Sequence, residues 1–119
     1  MREQSRDNGR LEHMLEAIDD AIVFVQNVSF EDLNKDKMRY YAVVHAVQII
    51  GEAAYMLTKE FKSEHPEVEW RQIEGMRHVI VHDYYSVRNL EVWNIVKNDI
   101  PQLRKQIEKI LAETAKSIN

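Results

Sequence analysis

Apolar residues recur every three or four positions from Leu11 through Met14, Leu15, Ile18 and Ile22 to Val25, with Glu12, Glu16, Asp19 and Asp20 between them. That spacing predicts an amphipathic helix with a single apolar face. Ser29 followed by Asp32 resembles a capping box in its aspartate form, which places a helix boundary near residue 30. Between Met38 and Phe61 the pattern widens. Tyr41, Val44, Val47, Ile50, Ala54 and Leu57 form one row, with Val43, Ile49, Ala53 and Met56 alongside. A helix apolar over so wide an arc is expected to be buried on two sides, one in the core and one against a second subunit.

His65-Pro66 predicts a loop, because the residue before proline is pushed out of the α region. A helical period restarts with Trp70, Ile73 and Met76, and again after Asn89 with Leu90, Trp93 and Val96. Asp99-Ile100-Pro101 reads as an N-cap with proline in the first turn of a last helix, whose stripe is Leu103, Ile107, Ile110 and Leu111. No repeat and no convincing strand interrupts this order. The expectation is an all-α, antiparallel bundle of about five helices in one domain spanning residues 1–119.

Composition sharpens that picture. Of 119 residues 45% are hydrophobic and 30% charged, with three Gly and two Pro, which suits a helical core with short loops. Without cysteine, neither a disulfide framework nor a thiolate metal site nor a cysteine nucleophile is available, which fits a reducing cytoplasm. The opening MREQSRDNGR lacks an apolar signal core, and runs such as 21–25 are too short to cross a bilayer, so a soluble cytoplasmic protein without membrane partners is expected. A net charge of -4 argues against a general coat for nucleic acid and confines any polyanion to a restricted place. Residues 71–88, with Arg71, Arg77 and Arg88 against Glu74 and Asp83, are less acidic than the chain.

The chemistry concentrates in "MRHVIVHDYY", residues 76–85. Arg77 and His82 lie five positions apart, about 140° round an ideal helix, so they share a face only if the helix ends or distorts between them. His78 and His82 are four apart and Glu74 four before, so a regular helix would stack all three. Three plainer readings follow: a helix end with a polar rim, a metal site using both histidines, and a Ser-His-Asp cluster through Ser86. The metal reading lacks an obvious third ligand and the triad reading lacks anything to fix it.

Arg77, His82 and Tyr84 form Arg-x4-His-x-Tyr, with the polar His78 directly after the arginine. This resembles the signature of the HEPN superfamily, and specifically its HepT-like branch. "QIIGEAAYML" at 48–57, "HPEVEWRQIEGMRHVIVHDYY" at 65–85 and "VWNIVKNDIPQL" at 92–103 extend the likeness over most of the chain. The resemblance implies the toxin of a type VII toxin-antitoxin module: a homodimeric, metal-independent endoribonuclease without cofactor, acting on RNA, with tRNA and mRNA the candidate substrates and the target itself not readable from the sequence. It further implies neutralisation by an MntA-type nucleotidyltransferase that transfers AMP to Tyr84.

Those residue types suit RNA cleavage. His82 can act as acid or base near neutrality, and Arg77 offers a permanent planar cation to phosphate. His78 would position phosphate or share proton transfer, and Tyr84 would stack on a base or donate its hydroxyl, with adjacent Tyr85 the competing acceptor for AMP. Glu52, beside Gly51 on the second long helix, is expected to support Arg77 as an ion-pair partner, while the glycine permits close helix approach. Arg71 and Arg88 are candidates for tracking the RNA backbone. His45 reads as a core histidine rather than a ligand, and Trp70 and Trp93 as core or interface aromatics rather than base-stacking ones. The alternative function is a non-catalytic helical subunit that binds a nucleotidyltransferase or nucleotide.

Overall fold

The computed structural model describes the backbone of residues 2–79 and 87–118, and the side chains of 6–79 and 89–115. Its elements run α1 (Arg2–Phe24), α2 (Phe30–Lys35), α3 (Lys37–Met56), α4 (Lys59–Glu64), α5 (Trp70–Glu74), a 3₁₀ turn (Gly75–His78), α6 (Val87–Asn94), a π turn (Ile95–Asp99) and α7 (Ile100–Ile118). Among the described residues all regular structure is helical, as expected for an all-α bundle. No described helix is long and apolar enough to cross a membrane.

Long-range hydrogen bonds set the helix directions. Arg39, at the start of α3, donates from Nη1 to the Phe24 carbonyl at the end of α1 (2.8 Å), and Asp7 near the start of α1 grips Thr58 just past the end of α3. α1 and α3 are therefore antiparallel. α7 runs back along α1, with Arg104 Nε 2.7 Å from Asp19 Oδ1. Leu11, Met14 and Ile18 of α1, Val43, Val47 and Ile50 of α3 and Ile100, Ile107 and Ile110 of α7 are fully or nearly fully buried between these helices. Each such side chain contributes on the order of 1.5–3 kcal/mol of burial free energy.

Local chemistry starts and stops the elements. Asn27 takes a left-handed backbone (φ 59°), which ends the turn after α1. The Ser29 capping box forms as read: Asp32 N–H donates to Ser29 Oγ (3.0 Å), and Ser29 N–H to Asp32 Oδ2 (3.3 Å). Asp36 then caps α3 by accepting from Arg39 N–H at 3.0 Å, a bond that lowers its carboxyl pKa below the usual range.

Four expectations are corrected. The second long helix does not run to Phe61: it stops at Met56, and Thr58 caps the separate α4, its hydroxyl accepting from Phe61 N–H (3.2 Å). Asp7 holds both the Thr58 amide (3.0 Å) and its hydroxyl (2.7 Å), so a tertiary grip fixes this break. Asp99 is no N-cap either. The helix continues from α6 into α7 through the π turn, where Ile100 N–H donates to Ile95 C=O, and this widened turn comes just where Pro101 has no N–H to give and a ring to accommodate. Within α3 the buried tyrosine is Tyr40 rather than Tyr41, and His45 is exposed instead of lying in the core. Burial raises the Tyr40 phenol pKa, and its hydroxyl donates to buried Asn89 Oδ1 at 2.7 Å.

Trp70 is buried and donates from Nε1 to the His65 carbonyl (2.9 Å), closing the His65-Pro66 loop onto α5. Trp93 packs on Phe30 at 6.0 Å between ring centres. Both tryptophans are packing residues here, as their helical spacing suggests.

Candidate functional site

The candidate site begins where α5 tightens into the 3₁₀ turn. Gly75 to His78 complete that turn and Val79 is extended (φ -63°, ψ 129°), so the helix ends between Arg77 and His82. This removes the regular i, i+4 stack of Glu74, His78 and His82 on which the metal reading depended. Glu74 is instead paired with Lys62 Nζ at 3.2 Å. No group of three or more potential metal ligands occurs among the described residues.

One face of α3 receives the turn. Gly51 lies so close to it that a Cβ there would stand 2.2 Å from Arg77 N, 2.8 Å from Met76 C and 3.0 Å from Arg77 Cα. Only glycine admits that approach, as its place in the apolar pattern suggested. One turn earlier on α3, Gln48 Nε2 donates to the Val79 carbonyl. One turn later, the Tyr55 ring lies under the Arg77 guanidinium, whose central carbon is 3.5 Å from the ring centroid. Gln48, Gly51 and Tyr55, spaced by three and four residues, thus form a cradle for 76–79.

Arg77 is half-buried, and its Nε donates to His78 Nε2 at 3.3 Å. With Nε2 accepting, a neutral His78 ring carries its proton on Nδ1. The arrangement presents a permanent cation with one N–H committed to a neighbouring imidazole and its plane set by an aromatic face, which suits it to phosphate oxygens.

Glu52 is exposed and makes no ion pair with Arg77 among the described residues; the partner expected to be a carboxylate is the Tyr55 ring. Arg71 is exposed on α5. His82, Tyr84, Tyr85 and Ser86 lie outside the described residues, as does the side chain of Arg88. The chain re-enters α6 at Val87, and Asn89 ties that point to the bundle. It accepts from Tyr40 and donates from Nδ2 to Asn34 Oδ1 at 3.0 Å, and it is 4% exposed. Val79 and Asn89 are thus both tied to α3, by Gln48 and by Tyr40.

Sequence reasoning missed Gln48 and Tyr55. Their signal was the three- and four-residue spacing around Gly51 inside "QIIGEAAYML".

A family model described as "Ribonuclease HepT-like" matches residues 14–110, spanning this cradle and the whole motif. The chain belongs to the HepT-like ribonuclease family. Among curated relatives it is 41% identical over 101 residues to "Putative RNase TTE0752" of Caldanaerobacter subterraneus subsp. tengcongensis, covering 85% of this chain and 90% of that one. It is 40% identical over 100 residues to "Probable ribonuclease HepT" of Thermococcus cleftensis (84% and 91%). It is 34% identical over 95 residues to "Putative RNase MJ1380" of Methanocaldococcus jannaschii (80% and 87%). No solved structure matches the chain. The HepT-like likeness carried by Arg77, His82 and Tyr84 in the sequence and the match over the bundle therefore agree on the family.

Proposed function

We propose that this protein is a metal-independent endoribonuclease and the toxin of a type VII toxin-antitoxin module. The observation that carries the reading is Arg77, set on the Gly51 approach and laid flat on Tyr55, five residues before His82 in a HepT-like chain. In the proposed reaction His82 takes the proton of a ribose 2'-hydroxyl and the 2'-oxygen attacks phosphorus. Arg77 meets the negative charge that gathers on the phosphate oxygens. The 5'-oxygen leaves and takes a proton from solvent, to which His82 returns the one it took, and the product ends in 2',3'-cyclic phosphate.

The active unit is a homodimer. On α3 Met38 (84% exposed), Tyr41 (39%) and Met56 (46%) share a stripe with exposed His45 and Glu52 and half-buried Ile49, all at three- to four-residue spacing. That stripe lies roughly 90° round the helix from the cradle of Gln48, Gly51 and Tyr55, so a second copy seated on it would bring two Arg77 cradles together. Its large apolar side chains at water favour this partner.

Neutralisation comes from an MntA-type nucleotidyltransferase that transfers AMP from ATP to the Tyr84 phenolic oxygen, which gives up its proton as pyrophosphate leaves. The adduct adds bulk and negative charge where substrate phosphate must sit.

Purified protein incubated with total RNA or tRNA in EDTA tests the activity beside Arg77→Ala and His82→Ala. Cleavage to cyclic-phosphate ends by the wild type alone supports it. Restoration of a lost activity by added zinc or magnesium would return the histidines to the role of ligands. Absence of any cleavage would favour the non-catalytic interaction subunit. Sedimentation reads the dimer, and a monomer at micromolar concentration would remove it. Mass spectrometry after co-expression with the nucleotidyltransferase reads the modification: the AMP adduct should vanish in Tyr84→Phe and survive in Tyr85→Phe.

A further inference from the structure

We propose that Tyr55 is a positioning residue of this site, the platform that fixes the direction in which Arg77 presents its guanidinium to phosphate; this rests on the ribonuclease reading above. An arginine side chain turns about several bonds, so locating its backbone does not locate its cation. The structure controls both ends of Arg77 from one face of α3. Gly51 sets the backbone by near contact, 2.2 Å from where a Cβ would stand to Arg77 N. Tyr55, one turn on, sets the head group, with the guanidinium carbon 3.5 Å from its ring centroid.

Stacking has a consequence for chemistry. A planar guanidinium laid on a ring keeps its N–H bonds near the plane of the group, so its donors point sideways rather than into the ring. One edge is committed, because Nε donates to His78 Nε2 at 3.3 Å. The Nη groups are then the edge suited to two oxygens of one phosphate. The His78 contact and the Tyr55 face together leave the head group little rotational freedom.

Tyr55 is 47% exposed, unlike the side chains that hold α1 to α3. Its loss should therefore leave the core intact. The role also needs only the ring face, so phenylalanine should serve and an aliphatic residue should not.

The experiment compares wild type, Tyr55→Leu, Tyr55→Phe and Arg77→Ala on a defined RNA in EDTA, with melting temperature and sedimentation read on each. Tyr55→Leu should lower kcat about tenfold at unchanged KM, the size expected when a partly shielded cation-π contact orienting the group is lost. Tyr55→Phe should restore cleavage to within about twofold of wild type. Melting temperature and assembly should match wild type in both. As a readout independent of turnover, the Arg77 Hε proton resonance should be ring-current shifted in wild type and Tyr55→Phe, and lose that shift in Tyr55→Leu.

Wild-type kcat in Tyr55→Leu beside an inactive Arg77→Ala would overturn the proposal and leave the ribonuclease reading standing. So would equal losses in Tyr55→Leu and Tyr55→Phe, which would assign the role to the hydroxyl, or a rise in KM at constant kcat, which would make Tyr55 a substrate contact. A wild type that does not cleave, or an Arg77→Ala variant that cleaves as well as wild type, would sink the ribonuclease reading and this role with it.

Discussion

Gly51→Ala tests how the fold delivers the site. The added methyl would begin 2.2 Å from Arg77 N and must be relieved to at least 3.4 Å for ordinary contact, so α3 and the 3₁₀ turn must part by about 1.2 Å. Every near atom is backbone, so no side-chain rotation can make room. Overpacking of this kind costs about 1–3 kcal/mol, and the upper end applies where backbone must move. Alanine returns about 1 kcal/mol through its better helix propensity. The expected net loss is about 2 kcal/mol, and for a domain of this size that lowers the melting temperature by about 8 °C. Activity should suffer more than stability, because the same shift moves Arg77, the cation proposed to meet phosphate, and a misplacement of about 1 Å can cost as much as a hundredfold in rate. Thermal denaturation and single-turnover cleavage below the transition read the two effects separately. Gly75→Ala is the matched control, since a Cβ there meets nothing within 4 Å. A Gly51→Ala protein that melts and cleaves like wild type would refute the reasoning.

Asn89→Ala should lower stability by about 1–3 kcal/mol, because it strands the Tyr40 hydroxyl; in urea, adding Tyr40→Phe should cost less than the two single losses combined, and strict additivity would contradict the network. Burial raises the Tyr40 pKa, so its stabilising contribution is complete below pH about 10 and is lost as pH rises through the folded value. Denaturation across alkaline pH should show that decline, and Tyr40→Phe should flatten it. Thr58→Val should cost about 2–3 kcal/mol by removing the hydroxyl donor to buried Asp7, with the amide donor kept, and by leaving α4 without its cap, while Thr58→Ser should recover most of the loss; equal melting of the two variants would contradict the grip.

What could be read from the chain alone rests on interactions within a turn of helix. The apolar period of Leu11 to Val25, the Ser29 and Asp32 capping box and the loop at His65-Pro66 all depend on neighbours a few residues away, and each stands in the structure. The Arg-x4-His-x-Tyr frame was legible for the same reason, since spacing is a property of sequence. Partners distant along the chain decided the rest. α3 stops at Met56 where Asp7, 51 positions away, holds Thr58. Tyr40 and Tyr41 are equally apolar and adjacent, so only the approach of Asn89 from α6 selects which is buried. Pro101 looked like a helix start because proline favours that position, yet α6 and α7 join through a π turn. Near Arg77, charge alone favoured Glu52, but the turn lands on Gly51 and presents the guanidinium to Tyr55, one turn farther along α3. Attraction between opposite charges can be anticipated from residue types, whereas a stack needs two surfaces brought face to face, and only the packing of the turn on α3 does that.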